Sequence, residues 1–169
     1  MNQAQKEILK AWIAAALWLA LIAIESTDLL SSAHTGSFLY SIIKFLFGPI
    51  DLATFSYWHA IGRKVGHVVG YGILSLLLFR AWQATLSLHT SARWSWRWAQ
   101  FAVYGTVLVA SLDEWHQSYI PSRTGTWHDV VLDGGAGIAA QILLYLLLRG
   151  WRREASNNKV ESTAMAAEK

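Results

Sequence analysis

The sequence predicts an all-α membrane protein of four transmembrane helices, with a short amphipathic helix in the first outer loop. Three observations carry that expectation. The chain is 54% hydrophobic and only 15% charged over 169 residues, where an ordinary soluble domain carries about 25% charged residues. Its apolar residues fall into four uncharged runs of 14 or 15 residues, at 11–24, 65–79, 98–112 and 134–148. Each run is bounded at one end by ionisable residues. These are Glu25 and Asp28, Arg63 and Lys64, Asp113 and Glu114, and Asp129 and Asp133.

The run lengths make those polar ends informative. Fifteen residues cover about 22 Å at about 1.5 Å per residue, and a hydrocarbon core about 30 Å thick needs about 20. Each helix therefore becomes long enough only by continuing through its charged end. When four such helices alternate in direction, all the charged ends fall on one side.

Lys and Arg set the expected orientation. With the N-terminus inside, the cytoplasmic segments hold 10 of the 14 basic residues, leaving Lys44, Arg63, Lys64 and Arg123 outside. The positive-inside rule then places both termini in the cytoplasm of a multi-pass protein of the bacterial cytoplasmic membrane. Seven of the 11 acidic residues lie on the outer side, with the polar helix ends. The first run is not read as a cleaved signal peptide, because Glu25-Ser26-Thr27-Asp28 follows Ile24 without a small-x-small site. Trp94, Trp96 and Trp98 read as an inner interfacial belt, and Trp58, Trp115, Tyr119 and Trp127 as an outer one.

The remaining segments complete the organisation. In residues 37–48, Phe38, Ile42, Phe45 and Leu46 make an apolar face at helical spacing, opposite Ser37, Ser41 and Lys44. Gly48-Pro49 ends it. This piece reads either as an interfacial helix on the outer leaflet or as a re-entrant, lid-like loop. Residues 1–150 form the transmembrane domain, and 151–169 a polar, disordered cytoplasmic tail.

Composition also excludes. With no cysteines there is neither a disulfide framework nor a thiolate metal site. The net charge of +3 does not indicate nucleic acid, because the basic residues flank apolar runs. Gly134-Gly135-Ala136-Gly137 lacks the Lys and the preceding strand of a phosphate-binding loop. His67, His116 and His128 show no H-x-x-x-H or H-x-E spacing, so no metal or other cofactor is expected.

The polar ends nevertheless show helical order. Lys64, His67 and Tyr71 stand at i, i+3, i+7 and share one face, with Gly66, Gly70 and Gly72 interleaved for close helix approach. Glu25, Asp28 and Ser32 repeat that spacing on the first helix. Asp113, His116 and Gln117 line one side of the third, and Asp129 and Asp133 are one turn apart on the fourth. The loop 120–125 sets Arg123 beside four carboxylates. Ionisable groups facing lipid are expensive, so the economical arrangement turns them inward, where an intramembrane ionisable cluster is by default a functional site. The bland alternative is a structural latch built from Asp113–Arg123 and Lys64–carboxylate pairs.

Several stretches resemble signature blocks of the VanZ-like family. They are Arg63-Lys64-x-x-His67-x-x-x-Tyr71, Asp113-Glu114-x-x-Gln117-x-x-x-Pro121-x-Arg123 and Asp129-x-x-x-Asp133-x-x-Gly. Glu25-Ser26 and Ser32-x-x-Thr35 are similar to that family's first outer loop. The resemblance spans about residues 12–148. It implies a small bacterial membrane protein of the cell envelope, in a family named for members linked to teicoplanin, a glycopeptide antibiotic. It implies no particular reaction and no resistance phenotype for this chain. Two positions depart from the pattern: Gly70 stands where a Glu often precedes the Tyr, and Asp133 where Asn is common. Asp133 and Glu25 are then the candidates to replace the missing carboxylate.

Two functions follow as expectations. In the first, Arg63, Lys64, Tyr71, Gln117, Arg123, Asp129, Asp133 and Glu25 bind an anionic envelope substrate, such as a lipid-linked phosphate or a peptidoglycan precursor. His67, Asp113 and Glu114 are its candidate acid/base groups. In the second, the chain is a non-enzymatic transporter or accessory protein whose cluster couples to protons. Partners are membrane lipid and that envelope precursor. A transporter built on four helices calls for an oligomer.

Overall fold

A computed structural model describes residues 1–87, 93–121, 123 and 125–149, and the backbone of 150–167; of Leu29 and Ala33 only the backbone is described. The described residues are helical or in turns, in the order α1 (Gln3–Glu25), a 3-10 turn (Asp28–Leu30), α2 (Ser32–Phe47), α3 (Leu52–Leu86), α4 (Trp96–Gln117) and α5 (Trp127–Ala167). Three of them, α1, α3 and α5 over Trp127–Arg149, are long and apolar enough to cross a membrane. α4 falls outside that group because its sequence spends several positions on Thr106, Asp113, Glu114 and Gln117, which are buried in the bundle. The side chains of the expected polar tail lie outside the described residues.

Local chemistry sets the boundaries. Asn2 and Gln5 form a reciprocal capping box at the start of α1. Ser31 caps α2, so that helix begins before the apolar face of 37–48. Gly48 ends it at φ 85°, a backbone region that favours glycine. Asp51 then starts α3 by accepting the backbone N–H and the hydroxyl of Thr54 at 2.8 and 2.9 Å. Those bonds to the charged form hold its carboxyl below the usual carboxylate range.

α3 is the hub, packing on α1, α4 and α5. It runs antiparallel to α1, as Trp12 donates to Thr85 and Trp18 to the Gly70 carbonyl. It is also antiparallel to α4, pairing Tyr71 with Asp113 and Phe79 with Trp98. It is parallel to α5, pairing His67 with Asp133 and Ser75 with Gly137. Apolar side chains build two core clusters. One joins Ile22, Tyr71, Leu74 and Ala110; the other joins Phe79, Trp98, Ala99 and Ala102.

Between them lies a polar stitch: Ser75 donates to the Gly137 carbonyl at 3.1 Å, and the Gln141 amide donates to Ser75 at 2.9 and 3.0 Å. In a lipid-surrounded bundle, such interhelical bonds and small-residue contacts supply association that hydrophobicity alone does not. The outward surface is correspondingly apolar, with Leu17, Leu108, Leu143 and Leu147 all more than half exposed.

Two expectations about packing change. The tight glycine contacts are not at Gly66 and Gly70, where an added β-carbon would meet open space. They are on α5, where a β-carbon on Gly137 would stand 2.9 Å from a Thr106 methyl and one on Gly134 3.0 Å from a Val107 methyl, and on α4, where one on Gly105 would stand 3.0 Å from a Leu78 methyl. Trp98 is not interfacial either: it is 4% exposed and packs edge-on against Phe79. Trp96, Trp58, Trp115, Tyr119 and Trp127 are exposed.

Candidate functional site

The polar residues converge where α1 and α4 end and α5 begins, against the middle of α3. One turn apart on α3, the His67 and Tyr71 rings stack at 6.2 Å, and each meets a carboxylate from a different helix. The Tyr71 hydroxyl donates to Asp113 on α4 at 2.8 Å. His67 Nδ1 lies 3.3 Å from Asp133 Oδ2 on α5. All four side chains follow from the antiparallel α3–α4 and parallel α3–α5 registers.

Glu114, beside Asp113, reaches instead to the start of α5. There it accepts the backbone N–H of Thr126 at 2.8 Å, a favourable place for a carboxylate at a helix N-terminus. Thr126 also donates its hydroxyl to Asp129 at 2.9 Å and accepts the Asp129 N–H at 3.3 Å, as an N-cap does. Gly125 is required just before it, because a β-carbon would run into the Glu114 carbonyl.

The basic residues are engaged differently from expectation. Arg63 donates to the Leu30 carbonyl at 2.9 Å. Arg123 donates to the carbonyls of Glu25 and Thr27 at 2.5 and 2.8 Å, tying the end of α1 to the α4–α5 loop. Lys64 makes no hydrogen bond or ion pair among the described residues. The only ion-pair contacts among those residues are Lys10–Glu7 and His67–Asp133. The latch of Asp113–Arg123 and Lys64–carboxylate pairs therefore does not form there. The physical reason is directional: the loop turns Arg123 toward α1, away from Asp113 behind it.

These groups border a cleft of about 810 Å³ between α2, the N-terminal half of α3, and the α4–α5 junction. Eight of the expected site residues line it: Arg63, Lys64, His67, Glu114, Gln117, Arg123, Asp129 and Asp133. Its other wall is partly apolar, with Tyr40, Leu52, Phe55 and Leu132. Glu25, Tyr71 and Asp113 do not reach the cleft. They border a separate space of about 10 Å³ between α1 and α3, the scale of a single water. Asp113 is thus behind the cleft floor, joined to it through Tyr71 and the stacked His67 ring.

Other expectations shift as well. Glu25, Asp28 and Ser32 do not share a helical face, because α1 stops at Glu25 and the chain passes through a 3-10 turn before α2. Glu25 meets Arg123 through its backbone carbonyl. His116 does not join Asp113 and Gln117 in the interior: it is exposed, with Nδ1 3.3 Å from Ser26 Oγ.

Two contributors were missed. Thr126 organises Glu114 and Asp129, and the T-x-x-D spacing before an apolar run is a legible capping signature. His59 lines the cleft, stacked on Phe55 at 5.6 Å and 3.4 Å from Thr35 Oγ1; no spacing pattern marks it.

Several buried atoms at the site lack partners among the described residues: Asp133 Oδ1, Gln117 Nε2 and Arg123 Nε. Native interiors leave few such atoms, and each asks for an explanation. No curated protein and no solved structure matches the chain. A family model does, covering residues 11–149 and so α2, α3 and α4 whole, most of α1 and α5, and the whole polar cluster. The chain belongs to the VanZ/LLP1 family.

Proposed function

We propose that the chain is a four-helix protein of the bacterial cytoplasmic membrane whose cleft opens at the outer leaflet and takes an anionic cell-envelope substrate, a lipid-linked phosphate or a peptidoglycan precursor. One observation carries the reading: Lys64 stands on the cleft wall with no partner among the described residues, beside Arg63 and Arg123, which among those residues spend hydrogen bonds on backbone carbonyls and none on carboxylates. Three positive charges around one cleft favour a multivalent oxyanion, with Arg offering a fork and Lys a point charge. The apolar wall of Tyr40, Leu52, Phe55 and Leu132 suits the lipid to which such a headgroup is joined.

α4 supports the fourth crossing. It packs against both α3 and α5, which run parallel, so α4 returns the chain between them. The apolar face of α2, with Phe38 and Phe45 exposed at 70% and 88%, suits a helix lying in the outer interface. The bias of Lys and Arg supports termini in the cytoplasm.

Within the cleft, His67 and Glu114 face a bound substrate, as acid/base groups when no metal ion holds them, and Asp113 acts only through Tyr71. Two hydrogen-bonded pairs, Asp133–His67 and Tyr71–Asp113, joined by ring stacking alone, link three helices; this buried ionisable cluster favours proton-coupled transport as the second reading.

Binding of a polyprenyl phosphate to the purified chain in nanodiscs tests the proposal. Lys64→Ala is the informative variant, because Lys64 holds nothing in the fold. A lost charge-assisted contact is about 1.5–3 kcal/mol, about 10- to 150-fold in affinity. Unchanged affinity in a folded Lys64→Ala protein sinks the anionic-substrate reading. Product formation from that ligand then separates an enzyme from a carrier.

A further inference from the structure

The carboxylates on the cleft floor raise a separate question of charge. Glu114 and Asp133 are 6% and 0% exposed, and among the described residues neither meets a Lys or Arg; the one imidazole between them, His67, can offset at most one of the two charges. Removing a carboxylate from water costs several kcal/mol unless an opposite charge compensates it. Hydrogen bonding is incomplete too: Asp133 Oδ1 has no partner among the described residues, although its side chain borders the cleft. Glu114 has one oxygen on the Thr126 N–H, leaving the other unassigned.

His67 completes a set with these two. One ring nitrogen of His67 and one carboxylate oxygen each from Glu114 and Asp133 lie within 4.8 Å of one another. The 3.3 Å separation of His67 Nδ1 and Asp133 Oδ2 is long for an N–H···O bond, whose range is about 2.7–3.2 Å. It is also the spacing of two donors on one ion, toward which the Glu114 oxygen would draw in. Donors held about 2.05 Å from a tetrahedral ion stand about 3.3 Å apart.

We infer that His67, Glu114 and Asp133 bind one first-row divalent cation, of the Zn²⁺ or Mn²⁺ kind, on the floor of the cleft. A neutral imidazole and two carboxylates carry two negative charges, which such an ion neutralises. One nitrogen with two carboxylate oxygens is a donor set for Zn²⁺ and its neighbours rather than for Mg²⁺ or Ca²⁺, which take oxygen ligands. The three ligands come from α3, α4 and α5, so no local spacing announces the site. Three protein ligands leave coordination positions facing the cleft, as in sites that also hold water or substrate. An anionic oxygen of the substrate, steadied by Lys64, fills one of them. That last step rests on the anionic-substrate reading, whereas binding of the ion does not.

The full-length chain, purified in detergent and stripped with a chelator, is titrated with Zn²⁺ and with Mn²⁺. Stoichiometry is read by elemental analysis after desalting. One ion per chain is expected, with at least a 10-fold loss of affinity in Glu114→Gln and in Asp133→Asn. The near-isosteric amides keep the side-chain volumes, and His67→Gln replaces either variant that does not fold. Lys64→Ala should retain the ion, so loss of polyprenyl phosphate binding in that variant speaks to the substrate and not to the metal. Failure of the wild-type chain to take up either ion overturns the inference. So does wild-type affinity in the folded ligand variants.

Discussion

Tyr71→Phe removes one oxygen atom and is the cleanest probe of how the site is tied together. The Tyr71 ring is 2% exposed, and its hydroxyl donates to Asp113 at 2.8 Å, the only hydrogen bond given to that carboxylate among the described residues. Phenylalanine preserves the stacking on His67 and the packing against Leu74 and Ala110. The loss is therefore confined to a hydrogen bond onto a buried acid. Such bonds contribute about 1.5–3 kcal/mol when the partner is charged. At about 2–4 °C per kcal/mol for a chain of this size, the midpoint of thermal unfolding in detergent should fall by about 3–12 °C. A double-mutant cycle with Asp113→Ala should return a coupling of the same size. Equal midpoints for Tyr71→Phe and wild type, or a coupling near zero, refute the claim that this bond holds α3 to α4.

Three further outcomes follow. Gly137→Ala pushes a methyl against buried Thr106 and should cost about 1–3 kcal/mol by overpacking; Gly135→Ala meets nothing within 4 Å and should be neutral or stabilising, and parallel thermal melts compare the two. The Asp51 cap has its folded carboxyl held below 3.8 by the Thr54 bonds, so its contribution is complete above about pH 4 and disappears as pH falls through the lowered value. The stability gap between wild type and Asp51→Ala should accordingly shrink under acid, as denaturation measured at several pH values will register. The chain has no native cysteine, so Tyr119→Cys should react with an impermeant maleimide from outside intact cells, and Arg93→Cys only after permeabilisation; the reverse pattern inverts the topology.

The helices and the membership of the polar cluster were legible in the sequence, but its pairing was not. Hydropathy located the apolar stretches because lipid-facing and core positions are both apolar, which leaves a continuous signal. It under-read α3, whose apolar run begins at Val65 while the helix begins at Leu52. Residues 52–64 carry Tyr57, Trp58, His59, Arg63 and Lys64, so no run marks them, yet nothing after Pro49 breaks the helix and Asp51 caps it. Pairing depends on the rotational phase of one helix against another, which spacing within a helix does not contain. Arg123 is ten positions from Asp113 and looks like its partner, whereas the loop carries it to the end of α1. For the same reason, spacing within a helix did not bring His67, Glu114 and Asp133 together, since they come from three helices.

The length of α3 explains why a wet, charged cleft can exist in so apolar a chain. Its 35 residues extend about 52 Å, but a hydrocarbon core needs only about 30 Å. From His67 to Leu86 the helix rises about 29 Å at about 1.5 Å per residue, enough for one crossing. On α1 the stretch from Lys6 to Glu25 covers the same distance. On the proposed topology, His67 and the end of α1 sit at one level, at the edge of the apolar slab, and residues 52–66 of α3 stand beyond it with α2. That overhang forms one wall of the cleft, and the α4–α5 junction forms the other. In the overhang Lys64 is exposed and Arg63 half-buried, while Asp133 and Glu114 at its base are buried. The division of charge follows from depth. Lys64 is exposed and has no partner among the described residues, whereas the two floor carboxylates have only His67 beside them to offset their charge. A ligand that enters between them meets both halves at once, and this is the chemical reason to expect binding of an anion and occupancy of the floor to depend on each other.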